Sequence, residues 1–172
     1  FKDGHLTNRF IVVSNAISDD YDLIVRGNEK VLRARLSDAL FFLDNDLKHG
    51  LSYEGLKDIT YLDGLGSLLD KELREKAITT YLVTKYQTTL LAQNARLNAS
   101  SLTALMDKSV MYSKSDLLSE MVYEFTELQG LMGYYYANAA QEDELLALSL
   151  KEQYLPNSEE SDLPSTLFSA IV

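Results

Sequence analysis

The sequence has 172 residues, 46% of them hydrophobic, which is enough for one domain, or one domain plus part of another, with a real core, and excludes disorder as its general state. Only two prolines and eight glycines interrupt it, so long helices are open to the chain and an all-β sandwich, with its frequent turns, is not. The net charge of −10 argues against nucleic acid at first sight, because Lys and Arg supply most of the affinity for phosphate. The charge is uneven, however: residues 1 to 35 hold six basic side chains (Lys2, Arg9, Arg26, Lys30, Arg33, Arg35) against five acids, and the remainder ten against twenty-one. Any phosphate contact therefore belongs early in the chain, and the acidic remainder faces solvent or a protein partner.

In chain order, Phe10-Ile11-Val12-Val13 is a β-branched run between Thr7-Asn8-Arg9 and Ser14-Asn15, and predicts one buried strand. One strand needs partners, so residues 1–25 are expected to be the tail end of a preceding β-containing domain. From Gly27-Asn28 the period becomes helical, with Leu32, Leu36, Ala39, Leu40, Leu43 and Leu47 on one stripe and His49-Gly50 as the stop. Ser67-Leu68-Leu69-Asp70 has the form of a capping box. It predicts a second long helix with Leu65, Leu69, Leu73, Ala77, Tyr81 and Leu82 along one face, and Asp70 and Arg74 four apart on its surface.

Three shorter helices follow, each with its own start signal. Ser101 precedes Leu102, Leu105, Met106 and Val110; Ser113-x-x-Asp116 precedes Leu117, Leu118, Met121 and Val122; Thr126-x-x-Gln129 precedes Leu128, Leu131, Met132 and Tyr135. Gly130 and Gly133 fall inside the last of these and call for a close helix crossing. A further helix is expected from Gln141–Glu144 through Tyr154, then a polar loop at 157–161, and a last helix starting at Asp162-Leu163-Pro164. The predicted fold class is mainly α, an orthogonal helical bundle over 26–172 with a short N-terminal β segment.

The sequence holds no cysteine, which excludes disulfides and thiolate metal sites and fits a reducing compartment, the cytoplasm by default. Neither a membrane-spanning apolar run nor the tripartite pattern of a signal peptide is present. The start at Phe1 and the end at Ser169-Ala170-Ile171-Val172, inside an apolar turn, predict a piece of a longer protein.

Several separate blocks carry a resemblance to one family. Thr7-Asn8-Arg9-Phe10-Ile11-Val12-Val13-Ser14-Asn15 is similar to a TNRFI-x-VSN block, and residues 27–39, with Val31-Leu32-Arg33-Ala34-Arg35-Leu36 at their centre, are similar to a GNE-x-VLRARL-x-DA helix. Leu65-Gly66-Ser67-Leu68-Leu69-Asp70-Lys71, Lys114-Ser115-Asp116-Leu117 with Met121-Val122-Tyr123-Glu124-Phe125, and Glu127-Leu128-Gln129-Gly130-Leu131-Met132-Gly133 with Tyr136-Ala137 follow in the family's order. So do Glu152-Gln153-Tyr154-Leu155-Pro156 and Asp162-Leu163-Pro164-Ser165, while the stretch from Gln87 to Asn98 matches poorly. The family is the β subunit of the heterotetrameric glycyl-tRNA synthetase of bacteria.

The resemblance implies the end of the β subunit's body plus most of its HD-like helical domain, truncated before that domain's end and before the anticodon-binding domain. It implies a part of a ligase that attaches glycine to tRNA(Gly) within an α2β2 heterotetramer. In that enzyme the α subunit holds the class II site for glycine, ATP and Mg, and the β subunit helps recognise tRNA. No catalytic residue, metal or cofactor is expected within this stretch, and no membrane partner.

The residues themselves leave alternatives open. An HD phosphohydrolase holds its metal with a histidine, a His-Asp pair and a later aspartate. The pair position here reads Ser115-Asp116, and the two histidines, His5 and His49, lie far from it. Asp116 reads instead as the last residue of a capping box, and hydrolase activity is kept only as an alternative. Arg26, Lys30 and Arg33 share a helical stripe, with Arg35 on the other side of the apolar face; these four are the candidate tRNA contacts, and in the competing reading they pair with nearby acids and simply solvate the helix. Asp70, Lys71 and Arg74 match an L-G-x-L-x-D-K-x-x-R helix start and read either as a capped, ion-paired helix or as a functional contact. Tyr134-Tyr135-Tyr136 reads as core, or as a stacking platform on which helical geometry allows at most one or two exposed rings. An acidic helical module that docks a neighbouring subunit remains a further alternative.

Overall fold

The structure is a computed structural model that describes residues 4–5, 7–15, 17 and 19–172. The chain is mainly α and forms two compact units, Phe1–Phe41 and Phe42–Val172. Its elements are α1 (Tyr21–His49), β1 (Thr60–Leu62), β2 (Gly66–Ser67), α2 (Leu68–Gln93), α3 (Ala99–Tyr112), α4 (Glu120–Glu124), α5 (Leu131–Ala139), α6 (Glu144–Glu152) and α7 (Leu167–Ile171). Single 3-10 turns lie at Glu54–Asp58, Ser115–Leu118 and Thr126–Leu128.

In the first unit the expected buried strand at Phe10–Val13 does not form. Ile11 and Val13 are 93% and 95% exposed, while Phe10 and Val12 are about half exposed and line a groove along α1. The alternation is that of extended chain, but a strand owes its stability to ladder hydrogen bonds and a buried face, and no sheet includes this run among the described residues. α1 starts at Tyr21 rather than Gly27, where Asp20 Oδ1 accepts from the Leu23 amide at 2.8 Å. Gly27 and Asn28 therefore lie inside the helix, and the Asn28 amide side chain donates to the Ile24 carbonyl instead of making a turn. The expected stop is where the helix ends: Gly50 has φ 70 and its amide returns to the Asp46 carbonyl at 2.8 Å, a conformation that glycine adopts without strain.

In the second unit a small antiparallel hairpin, β1–β2, leads into α2. The Ser67–Asp70 capping box is present in both directions: Ser67 Oγ accepts from the Asp70 amide, and Asp70 Oδ2 accepts from the Ser67 amide at 2.8 Å. The face that α2 buries is not the one its leucines mark. Leu73 and Tyr81 are 52% and 65% exposed and Ala77 is exposed, whereas Glu72, Thr79, Val83 and Leu90 are buried. Counting apolar residues misplaces the face because Glu72 has a buried partner: Ser113 Oγ, at the end of α3, donates to Glu72 Oε2 at 2.7 Å.

α3 begins at Asn98, which forms a capping box with Ser101, so Ser101 is third in the helix rather than its cap. The stripe behind it is as expected, with Leu102, Met106 and Val110 buried. The Ser113–Asp116 box does not exist: Ser113 closes α3, Ser115–Leu118 is a 3-10 turn, and Ser119 caps the short α4. α5 starts at Leu131, after the 3-10 turn that occupies Thr126–Leu128. α6 is capped by Asp143, whose carboxylate also takes both Arg96 guanidinium nitrogens at 2.6 Å, giving the stretch 87–98 a structural task. The last helix is capped by Thr166, not by Asp162, with Pro164 ahead of it.

The core lies where α2, α3, α6 and α7 meet, built from Val83, Leu90, Leu102, Met106, Leu145 and Phe168. Ala137, Leu146, Ala147 and Leu150 close the α5–α6 contact. If α2 faces inward as described, Leu73→Gln changes the unfolding free energy by less than about 0.5 kcal/mol. Leu102→Ala costs about 2–5 kcal/mol. Urea titrations of the two variants measure the contrast, and a costly Leu73→Gln would reverse the face assignment.

Candidate nucleic-acid interface and the buried acid behind the HD-like position

Asp116, the acid of the Ser115-Asp116 pair weighed above as a metal ligand, is 1% exposed. Its Oδ2 accepts from the Gly130 amide at 2.6 Å and the Gly133 amide at 3.2 Å, so it caps a helix start, as expected in kind, but the helix is α5. Gly130 is the N-cap, with φ 80, and a Cβ there would lie 3.0 Å from the Tyr154 ring; one on Gly133 would lie 3.4 Å from both Asp116 Oδ2 and Leu150 Cβ. Both glycines therefore serve the close approach of α5 to α6 and to the carboxylate. Ser115 turns its hydroxyl to the Tyr112 carbonyl at 2.8 Å.

Burial pushes the Asp116 carboxyl above its usual range, opposed by the two glycine amides. Burial does the same to Glu72, opposed by the Ser113 hydroxyl and by Lys71, 3.6 Å away. Lys114 completes this polar centre. Its ammonium donates to Gln153 Oε1 at 2.6 Å and lies 3.9 Å from the centre of the Tyr154 ring, a cation–π distance. Burial and repulsion by Lys71 push its pKa down to about 8, with Glu72, Glu75 and Asp116 pulling the other way. Among the described residues no group of three or more His, Cys, Asp or Glu side chains converges as metal ligands. His49 is exposed at the end of α1, its Nδ1 at 2.8 Å from the Asn45 carbonyl.

Arg26, Lys30, Arg33 and Arg35 are all exposed on α1. The first three follow one another at intervals of four and three, which keeps them on one stripe, while Arg35 projects from the opposite side. None of the four belongs to an ion pair among the described residues, and all four are solvated, as the reading of a solvated helix face also has them: the ion pairs there join Lys71 with Glu72 and Glu75, Lys76 with Asp107, Arg96 with Asp143 and Lys108 with Glu142. The Lys71–Glu75 bridge also takes the place of the expected surface pair between Asp70 and Arg74, and Asp70 is held below its usual range chiefly by Ser67.

Of the three tyrosines, Tyr136 is buried, Tyr134 is half-buried and edge-on to Tyr135, and Tyr135 alone is well exposed, at 55%. Tyr136 leads to a residue that sequence reasoning misses. Asp46, buried near the end of α1, accepts from the Tyr136 hydroxyl at 2.6 Å and from the Glu120 and Met121 amides at 2.9 and 3.1 Å. Burial and the Asp46 carboxylate both push the Tyr136 hydroxyl pKa upward. The available signal is an acid three residues beyond Leu43 on a helix otherwise apolar along that face.

The family model for the glycyl-tRNA synthetase beta subunit matches residues 1–172. The chain belongs to that family. Among curated relatives, it is 54% identical over 167 residues to the glycine--tRNA ligase beta subunit of Helicobacter pylori (strain Shi470), covering 97% of the chain and 23% of that protein. The beta subunit of Sulfurihydrogenibium sp. (strain YO3AOP1) is 42% identical over 167 residues, and that of Lactobacillus acidophilus 39% over 173, at 23% and 24% of their lengths. The chain thus spans about a quarter of the beta subunits it matches.

Lys114 is a cation whose folded pKa lies below its ordinary value of 10.5. The unfolded chain then holds a proton that the folded one has released, so stability is lost as pH falls through about 8 and is fully present above 10.5. Unfolding titrations across that interval should show stability rising with pH, and Lys114→Gln should flatten the rise. An equal slope in the variant would remove Lys114 as its source.

Proposed function

We propose that the chain is a non-catalytic, tRNA-handling part of the β subunit of glycine–tRNA ligase. In this reading residues 1–25 complete a preceding body domain, and 26–172 form most of an HD-like helical bundle. The α subunit of an α2β2 assembly binds ATP, Mg and glycine and carries out the chemistry in the cytoplasm. The observation that supports it best is the family match across the whole chain together with the exposed stripe of Arg26, Lys30 and Arg33, which is free of ion pairs among the described residues and lies in the one part of the chain where basic residues outnumber acids. Unmatched guanidinium groups suit phosphate, which arginine grips with a planar fork. Arg35, on the other side of α1, is proposed as a separate contact. In this reading the buried polar centre has no part in the chemistry: Asp116 Oδ2 is occupied by two backbone amides, and the Lys114 ammonium donates to Gln153.

A docking role for the acidic remainder is compatible with this and is favoured by one observation, the outward apolar residues Leu73, Ile78 and Tyr81 on α2.

Salt-dependent tRNA binding by the complete ligase tests the proposal. Each of Arg26→Ala, Lys30→Ala and Arg33→Ala should weaken binding and lower the steepness of log K against log salt by about 0.7–0.9 for each phosphate that is no longer neutralised. Glycine-dependent ATP–pyrophosphate exchange should stay at the wild-type level. Unchanged affinity and salt slope in all three variants would remove the stripe from the tRNA interface.

A further inference from the structure

Within the first unit, residues 7–10 and α1 enclose an open groove of about 580 Å³. Two arginines from different segments are among its lining residues, Arg9 from the extended run and Arg33 from α1, and neither belongs to an ion pair among the described residues. Arg9 is one of the early basic residues but stands outside the α1 stripe, because helical spacing cannot connect it to that helix. Phe10 and Val12 are the half-exposed residues of the extended run and line the neighbouring groove along α1, while Arg9 joins Phe10 in lining this one.

We propose that this groove seats one nucleotide of the tRNA, its phosphate held from two sides by Arg9 and Arg33. The inference rests on the tRNA reading given above and adds to it a defined subsite and a residue outside the α1 stripe. Two planar forks suit the several oxygens of a single phosphodiester, whereas one lysine-like point charge would only attract it. Glu29 borders the same groove and can only accept hydrogen bonds. A carboxylate repels a second phosphate and accepts from a ribose 2′-hydroxyl, which makes an RNA nucleotide, rather than a free inorganic anion, the occupant that fits. Phe10, Leu36 and Leu40 supply apolar surface on the groove walls for the face of a base.

The test is a double-mutant cycle on tRNA(Gly) binding by the complete ligase, read by fluorescence anisotropy, with Arg26→Ala alongside and thermal melts as a folding control. Arg9→Ala and Arg33→Ala should each weaken binding roughly tenfold, and the double variant by no more than about threefold beyond the weaker single, because residues that share one partner are not additive. Arg9→Lys should recover only part of the loss, since it restores charge without the fork. An Arg9→Ala ligase that binds as the wild type, or a double variant whose loss is the product of the two single losses, overturns the shared subsite while leaving the tRNA reading in place. If Arg26→Ala, Lys30→Ala and Arg33→Ala are all silent as well, the α1 stripe leaves the tRNA interface and the subsite falls with it.

Discussion

The Asp116 carboxylate holds together three segments of Phe42–Val172. The 3-10 turn after α3 carries it, the start of α5 donates two amides to it, and the packing of α6 on α5 at Gly133 brings Leu150 to its flank. Backbone amides at a helix start are satisfied by whatever acceptor reaches them, and a carboxylate adds a favourable charge at the positive end of the helix. The arrangement also sets the chemistry. Asp116 Oδ2 is committed to amides at 2.6 and 3.2 Å, with Lys114 as a cation that acts on it, while Oδ1 is buried without a hydrogen-bond partner among the described residues; the bonds that the carboxylate makes are ones that position a helix. The Ser113 hydroxyl just ahead of the 3-10 turn ties a second fully buried acid, Glu72, to the close of α3.

Charge is divided in a way that matches a division of labour. The early residues carry arginines and a lysine that pair with no acid among the described residues, on a helix where all four candidate cations are exposed. The later residues place Arg96 and most of their lysines in ion pairs, or over aromatic rings in the cases of Lys85, Lys114 and Lys151, and leave an acidic surface. Nucleic acid is attracted by the first and repelled by the second. On the proposed tRNA reading, a chain of net charge −10 meets RNA through its early residues while its acidic remainder opposes indiscriminate binding of nucleic acid.

Short-range features are legible in the sequence, and features that depend on distant partners are not. The Ser67–Asp70 box, the Gly50 stop and the Leu102–Met106–Val110 stripe each depend on residues three or four apart, and each is present. The role of Asp116 depends on amides 14 and 17 residues away, so its acidity is visible while the helix it caps is not. The inward face of α2 escapes a reading by periodicity because Glu72 is buried by a hydroxyl 41 positions on, while Leu73 and Tyr81 point outward. The Phe10–Val13 run has strand composition without a neighbouring strand among the described residues. At the candidate interface, three of four basic residues share the stripe their spacing predicts; Arg9 is invisible to spacing because the groove it lines together with Arg33 is formed by two separate segments.

Hydrogen–deuterium exchange of the complete β subunit, followed by mass spectrometry on peptides containing Gly130 and Gly133, tests most directly whether Asp116 is a backbone anchor rather than an ion ligand. Two slow amides are expected there, protected to the same degree with a chelator or with added manganese, and lost in Asp116→Ala. Rapid exchange of both glycines in the native subunit, or protection that develops only when a divalent ion is supplied, would contradict the anchoring role.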